Sequence, residues 1–148
     1  ETRQYVWDLR EPARLQGSLT DRADVMVEEL RDLIDTPLEL NLSGSLPALP
    51  TETSLHLLRM LREAINNAAH HAAATKITIG LAADERGLVA TVADDGAGFE
   101  PTDDVPHPAG HFGLRGLTER ATRIGGRVTI ASRPGHGTTV TIHVPLKH

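Results

Sequence analysis

Glu63, Asn67 and His71 recur at four-residue steps in the stretch Arg62-Glu63-Ala64-Ile65-Asn66-Asn67-Ala68-Ala69-His70-His71-Ala72. On a helix they would fall along one stripe. A carboxylate, an amide oxygen and an imidazole suit a hydrated Mg2+ and the phosphates it bridges, because Mg2+ prefers oxygen ligands and keeps several waters. The same spacing also describes a solvated helix edge, and Asn66 competes with Asn67 for the inward position. Farther along, Asp94-Asp95-Gly96-Ala97-Gly98 offers carboxylates followed by glycines. An ionised carboxylate only accepts hydrogen bonds, which suits the exocyclic amine of adenine, while the glycines let a ring approach the backbone. Asp-Asp-Gly is equally a turn sequence. Gly110-His111-Phe112-Gly113-Leu114-Arg115-Gly116 opens a helical stretch, where unpaired N–H groups attract phosphate. Gly135-His136-Gly137-Thr138 reads as a hairpin turn with a hydroxyl to spare. His107 and His111 could share a metal only in a helical segment, which Pro108 opposes.

The elements that must position these residues follow from periodicity. Leu19, Ala23, Met26, Val27, Leu30 and Ile34 form one helical stripe, stopped by Pro37. Leu38-Glu39-Leu40-Asn41-Leu42 alternates as a half-buried strand, and a Gly/Pro/Ser-rich loop runs on to Pro50. A long helix is expected from about 54 to 73, with Leu57, Leu58, Leu61, Ala64, Ile65, Ala68 and Ala72 inward. Residues 76–81 and 88–92 read as a hairpin around Asp84-Glu85-Arg86-Gly87. Residues 97–112 carry no periodic pattern and are expected to form a lid-like loop. A helix is expected over 114–124, capped by Gly125-Gly126, followed by strands over 127–132 and 138–144. Helices on one face of a mixed, mostly antiparallel sheet make an α+β fold, a two-layer α/β sandwich.

Bulk composition agrees with one such domain. The chain has 148 residues, 39% of them hydrophobic and 24% charged, and aromatics at 3% leave the core to aliphatic packing. A net charge of −5 argues against a general nucleic-acid or anionic-membrane binder, so a phosphate ligand must be held locally. With no cysteine, thiol catalysis, thiolate metal sites and disulfides are excluded, and the cytoplasm is the default compartment. No run of about 18 apolar residues is available to span a bilayer. A helix-like start without methionine suggests a piece of something longer.

Taken in order, the four blocks resemble the histidine-kinase branch of the Bergerat-fold ATPases, a superfamily that also holds gyrase-type topoisomerases, mismatch-repair ATPases and heat-shock chaperones. The match runs over about residues 54–146. Residues Arg62 to Ala72 resemble the N box, which implies that Asn67 binds Mg2+, Glu63 polarises the attacking group, and His71 lies near the phosphates. His70 stands where the family usually has Lys or Arg. Asp95-Gly96-Ala97-Gly98 resembles the G1 box, implying adenine recognition by Asp95 with Asp94 as a non-contacting neighbour. Gly110 and Gly113-Leu114-Arg115-Gly116 resemble the phosphate-side G2 region, and Gly137 and Thr138 the G3 box beside adenine.

The run from Gly113 to Ala121 is similar to the subfamily whose response regulators bear helix-turn-helix output domains, and Val6-Trp7-Asp8-Leu9-Arg10 resembles the end of its dimerisation helices. The expected organisation is therefore a helix tail and linker over 1–17 and an ATP-binding catalytic domain over 18–148. ATP and Mg2+ are the implied ligands. The implied reaction is transfer of the γ-phosphate to a histidine on a dimerisation domain outside this chain; none of the eight histidines here has an acceptor-like context. The resemblance further implies a homodimeric parent, membrane-anchored or not, and a monomeric fragment that binds ATP but transfers phosphate poorly or not at all. Rival readings are an anti-sigma-factor-like serine kinase, which the Trp7–Arg10 tail disfavours, and a nucleotide-binding module without transfer.

Overall fold

The computed structural model describes residues 18–43, 46–71, 74–97 and 112–145, with the side chains of 71 and 112–115 outside the description. The expected helix tail and linker over 1–17 lie outside the described residues. Helix α1 (Leu19–Leu33) starts where the Ser18 hydroxyl accepts the Asp21 N–H at 3.1 Å, an N-cap that satisfies one orphan donor. It stops at Ile34, whose backbone turns extended ahead of Pro37. Strand β1 (Leu38–Ser43) is followed by helix α2 (Thr51–His71), then by the hairpin of β2 (Ile77–Asp84) and β3 (Gly87–Asp94). Asp84 makes that hairpin's turn by accepting the N–H groups of Arg86 and Gly87 at 2.8 and 3.0 Å. Helix α3 (Phe112–Arg123) then leads into strands β4 (Arg127–Ser132) and β5 (Thr138–Pro145). The Gly125-Gly126 cap forms as expected. Gly126 N–H reaches the Ala121 carbonyl at 2.7 Å and Gly125 N–H the Thr122 carbonyl at 3.1 Å, with Gly125 at φ +74°.

The five strands form one sheet in the order β1-β2-β3-β5-β4, with β1 parallel to β2 and every other pair antiparallel. Alternation decides which side chains face the helices. Ile77, Ile79 and Leu81, Leu88, Ala90 and Val92, and Val140, Ile142 and Val144 are all buried there. Against them pack Ala23, Val27 and Leu30 of α1, Leu57, Met60, Leu61 and Ile65 of α2, and Leu117 and Ala121 of α3. The fold is thus α+β, a two-layer sandwich with its core between sheet and helices. Among the described residues no helix is long and apolar enough to cross a membrane.

One row of paired residues crosses the whole sheet. Leu38 lies beside Ile77, Ile77 beside Asp94, Asp94 beside Thr138, and Thr138 beside Ser132. Three apolar rows deeper in the sheet give way here to Asp, Thr and Ser on the helix-facing side. That edge is also where α2 ends and where α3 begins, since α2 feeds β2 at Ile77 and α3 runs back toward the start of β4.

Candidate nucleotide-binding site

Glu63 and Asn67 lie one turn apart on α2, beside the buried stripe of Ala64, Ile65 and Ala68. Glu63 Oε1 pairs with Arg120 Nε of α3 at 3.2 Å, and a Cβ placed on Gly116 would sit 3.6 Å from Glu63 Oε2. Helix α3 thus lies beside the carboxylate, at a distance where a side chain at position 116 would make only ordinary contact. Asn67 Nδ2 is buried without a hydrogen-bond partner among the described residues. Leaving such a donor unmade costs about 1–3 kcal/mol. His70 is exposed, and its Nδ1 lies 2.8 Å from the Asn66 carbonyl one turn back. The side chains of His71, Leu114 and Arg115 lie outside the described residues, as do Gly98 and Gly110; Gly113 and Gly116 fall within α3.

The two adjacent carboxylates have separate surroundings. Asp95 is exposed, and its oxygens accept the Thr75 N–H at 2.8 Å, the Lys76 N–H at 3.1 Å and the Thr75 hydroxyl. Those bonds, the Thr75 hydroxyl first, hold its carboxyl below the usual range. Asp94 instead continues the inward series Leu88, Ala90, Val92 and is half-buried. Its Oδ1 accepts the Gly96 N–H at 2.8 Å, and the Thr138 backbone N–H also bonds its carboxylate. Burial pushes its carboxyl above the usual range despite those bonds, with the charge of Asp95 adding to the rise. The resemblance to the G1 box assigns adenine to Asp95; the alternation of β3 turns Asp94, not Asp95, toward the helix-facing side.

The last hairpin closes against this strand end. Gly137, at φ +81°, packs so tightly on β3 that a Cβ there would lie 2.1 Å from the Asp94 carbonyl. Gly135 N–H donates to the Ala97 carbonyl at 2.6 Å. Gly96, Gly137 and Thr138 are thereby brought to Asp94 from two separate sequence blocks. Ser132, which sequence reasoning did not select, is 7% exposed and bonds both the Gly137 carbonyl, at 3.1 Å, and Thr138 Oγ1, at 2.9 Å. A groove of about 330 Å³ between Arg86, Arg127 and His143 lies at the opposite end of the sheet and shares no residue with this edge.

Among the described residues no cluster of three or more His, Asp or Glu side chains is placed to hold a metal ion. Asn67 fits a different arrangement, in which protein supplies one ligand and phosphate and water the rest. An amide can present either end: its nitrogen donates to a phosphate oxygen and its oxygen binds a hard cation.

Residues 52–148 match the family described as histidine kinase-, DNA gyrase B- and HSP90-like ATPases. The chain belongs to this family of ATP-binding domains. It is 26% identical over 146 residues to the signal transduction histidine-protein kinase/phosphatase DegS of Brevibacillus brevis, covering 99% of this chain and 37% of that protein. It is 37% identical over 122 residues to the nitrate/nitrite sensor protein NarQ of Escherichia coli (strain K12), covering 76% of this chain and 21% of that protein. The chain thus spans well under half the length of these relatives. Its fold is that of the ATP binding domain of PrrB from Mycobacterium tuberculosis, with a TM-score of 0.66 at 20% identity over 89% of this chain and 96% of that one. The histidine kinase domain of an Erythrobacter litoralis blue-light activated kinase gives a TM-score of 0.62 at 23% identity, covering 86% and 59%.

Proposed function

We propose that this chain is the catalytic domain of a two-component sensor histidine kinase, binding Mg-ATP at the Asp94–Thr138 edge and presenting the γ-phosphate to a histidine on a dimerisation domain. The observation that carries the reading is the juxtaposition, at one edge of the sheet, of a half-buried carboxylate, a hydroxyl and a buried amide with no partner among the described residues. Asp94, rather than Asp95, accepts the adenine amine, because Asp95 spends its oxygens on Thr75 and Lys76. Asn67 would hold Mg2+, which when bound neutralises phosphate charge. The N-terminal backbone of α3 faces the phosphates with its free N–H groups, and Glu63 orients or deprotonates the incoming imidazole. Positioning and charge stabilisation supply the catalysis.

The parent would be a homodimer handing phosphate to a response regulator with a helix-turn-helix output, with this domain in the cytoplasm, where ATP is available. The test is to mix the chain with a dimerisation domain bearing an acceptor histidine and radiolabelled Mg-ATP. Acid-labile, alkali-stable phosphate on that domain supports the reading; phosphate on serine, or none while ATP is bound, contradicts it.

A further inference from the structure

The groove of about 330 Å³ at the far end of the sheet is lined from two sides by arginine. Arg86 comes from the β2–β3 turn and Arg127 opens β4, with β5 running between them. Arg127 pairs with His143 across β4–β5, and His143 with Val89 across β3–β5, so one row of the ladder crosses the groove. Both arginines are exposed, and neither guanidinium makes an ion pair with a described residue. Asp84 also lines the groove, but its Oδ1 already accepts the N–H groups of Arg86 and Gly87 at 2.8 and 3.0 Å. On a chain of net charge −5 this is a local excess of positive charge. Between the arginines the lining is apolar, with Leu88, Val144 and Pro145, and beside Arg127 it is the bare backbone of Gly125 and Gly126. Gly126 has no room for a side chain, since a Cβ there would lie 2.3 Å from the His143 carbonyl oxygen.

We propose that this groove is a second binding site, for an acidic segment of a protein partner that sets carboxylates against Arg86 and Arg127 and an apolar side chain against Leu88, Val144 and Pro145. A guanidinium fork matches a carboxylate through two parallel hydrogen bonds, and it is more weakly hydrated than an ammonium, so little is lost in making the contact. The apolar lining selects a peptide over a bare anion, because inorganic phosphate would meet the charges but bury no apolar surface. The site is separate from the nucleotide edge. The eight-residue strands β3 and β5 hold the two ends about 23 Å apart at the ordinary strand rise. A partner seated here would leave ATP in place at the Asp94–Thr138 edge, and the inference stands on the groove alone.

The experiment is fluorescence anisotropy of a short labelled peptide of glutamates interrupted by leucines, titrated with the chain at low and at high salt. Wild type should bind it, more weakly as salt rises, and should not bind the same peptide with glutamine or lysine in place of glutamate. Arg86→Glu and Arg127→Glu should each weaken the acidic peptide about tenfold, since each replaces an attraction by a repulsion. Both variants should keep the wild-type melting temperature and ATP titration. The double reversal should bind the lysine peptide instead. No binding of the acidic peptide by wild type, or unchanged binding by the double variant, would overturn the proposal. Displacement of the peptide by inorganic phosphate at matched ionic strength would also overturn it, leaving an anion site only. A chain that binds the peptide but not ATP supports this inference and counts against the nucleotide reading alone.

Discussion

Arg120 Nε lies 3.2 Å from Glu63 Oε1, so helix α3 is tied by charge to the helix that carries Asn67. The side chains are 29% and 31% exposed, between the regimes of surface and buried pairs. Such a contact is worth about 0.5–1 kcal/mol. A double-mutant cycle of Arg120→Gln and Glu63→Gln in urea unfolding should return a coupling of about that size. Zero coupling would mean that the pair does not help to hold the two helices together.

Asp94 and Asp95 should part company on substitution. Asp94→Asn replaces one acceptor oxygen by a donor facing the adenine amine, and ATP affinity should fall about ten- to a hundredfold, the range for a charge-assisted bond. Asp95→Ala should loosen residues 74–76 and lower the melting temperature, affecting ATP and inosine triphosphate alike. If Asp95→Ala instead loses ATP selectively while Asp94→Asn does not, the adenine role returns to Asp95.

Their titrations have opposite signs. The Asp95 carboxyl is held below its ordinary value, so the stability it contributes is present above the unfolded-chain carboxylate pKa and lost as pH falls through its lower folded value. Asp94 is raised by burial, so its contribution is fully present below the unfolded pKa and lost as pH rises through its higher folded value. At neutral pH the charged Asp94 therefore costs stability. Asp94→Asn should unfold at equal or higher temperature than wild type at pH 7, and the difference should vanish in acid. Thermal melts across pH 3 to 7 give the answer; a variant less stable than wild type at pH 7 would contradict this account.

Asn67 makes the same exchange of stability for binding. Its buried amide nitrogen has no partner among the described residues, so Asn67→Leu should be at least as stable as wild type without nucleotide while losing Mg-dependent binding. A variant destabilised by several kcal/mol would show instead that the amide serves the fold.

The sequence carried the elements to within a few residues because their signals are local. The α1 stripe from Leu19 to Leu30 is buried as expected, while Ile34 falls past the helix end and is half-buried; β4 spans the same residues as predicted. Helix α2 begins earlier, at Thr51, and adds Met60 to the core, a residue that the four-residue steps through Leu57 and Leu61 had passed over. Pairing order is different. That β5 lies between β3 and β4, and that β1 joins in parallel, depends on contacts between distant segments. The site shows the same division: motif residues stand out by type, but the choice between Asp94 and Asp95 depends on strand register. Ser132 carries no motif of its own, and its hydrogen bonds to Gly137 and Thr138 reveal it.

The central claim is that this edge binds ATP with help from Mg2+ at Asn67. The most direct test is calorimetric titration of the chain with ATP, with and without Mg2+, on wild type and Asn67→Ala. We expect wild type to bind ATP more tightly with Mg2+, and Asn67→Ala to lose that enhancement. Equal binding by both proteins, with and without Mg2+, would contradict the claim.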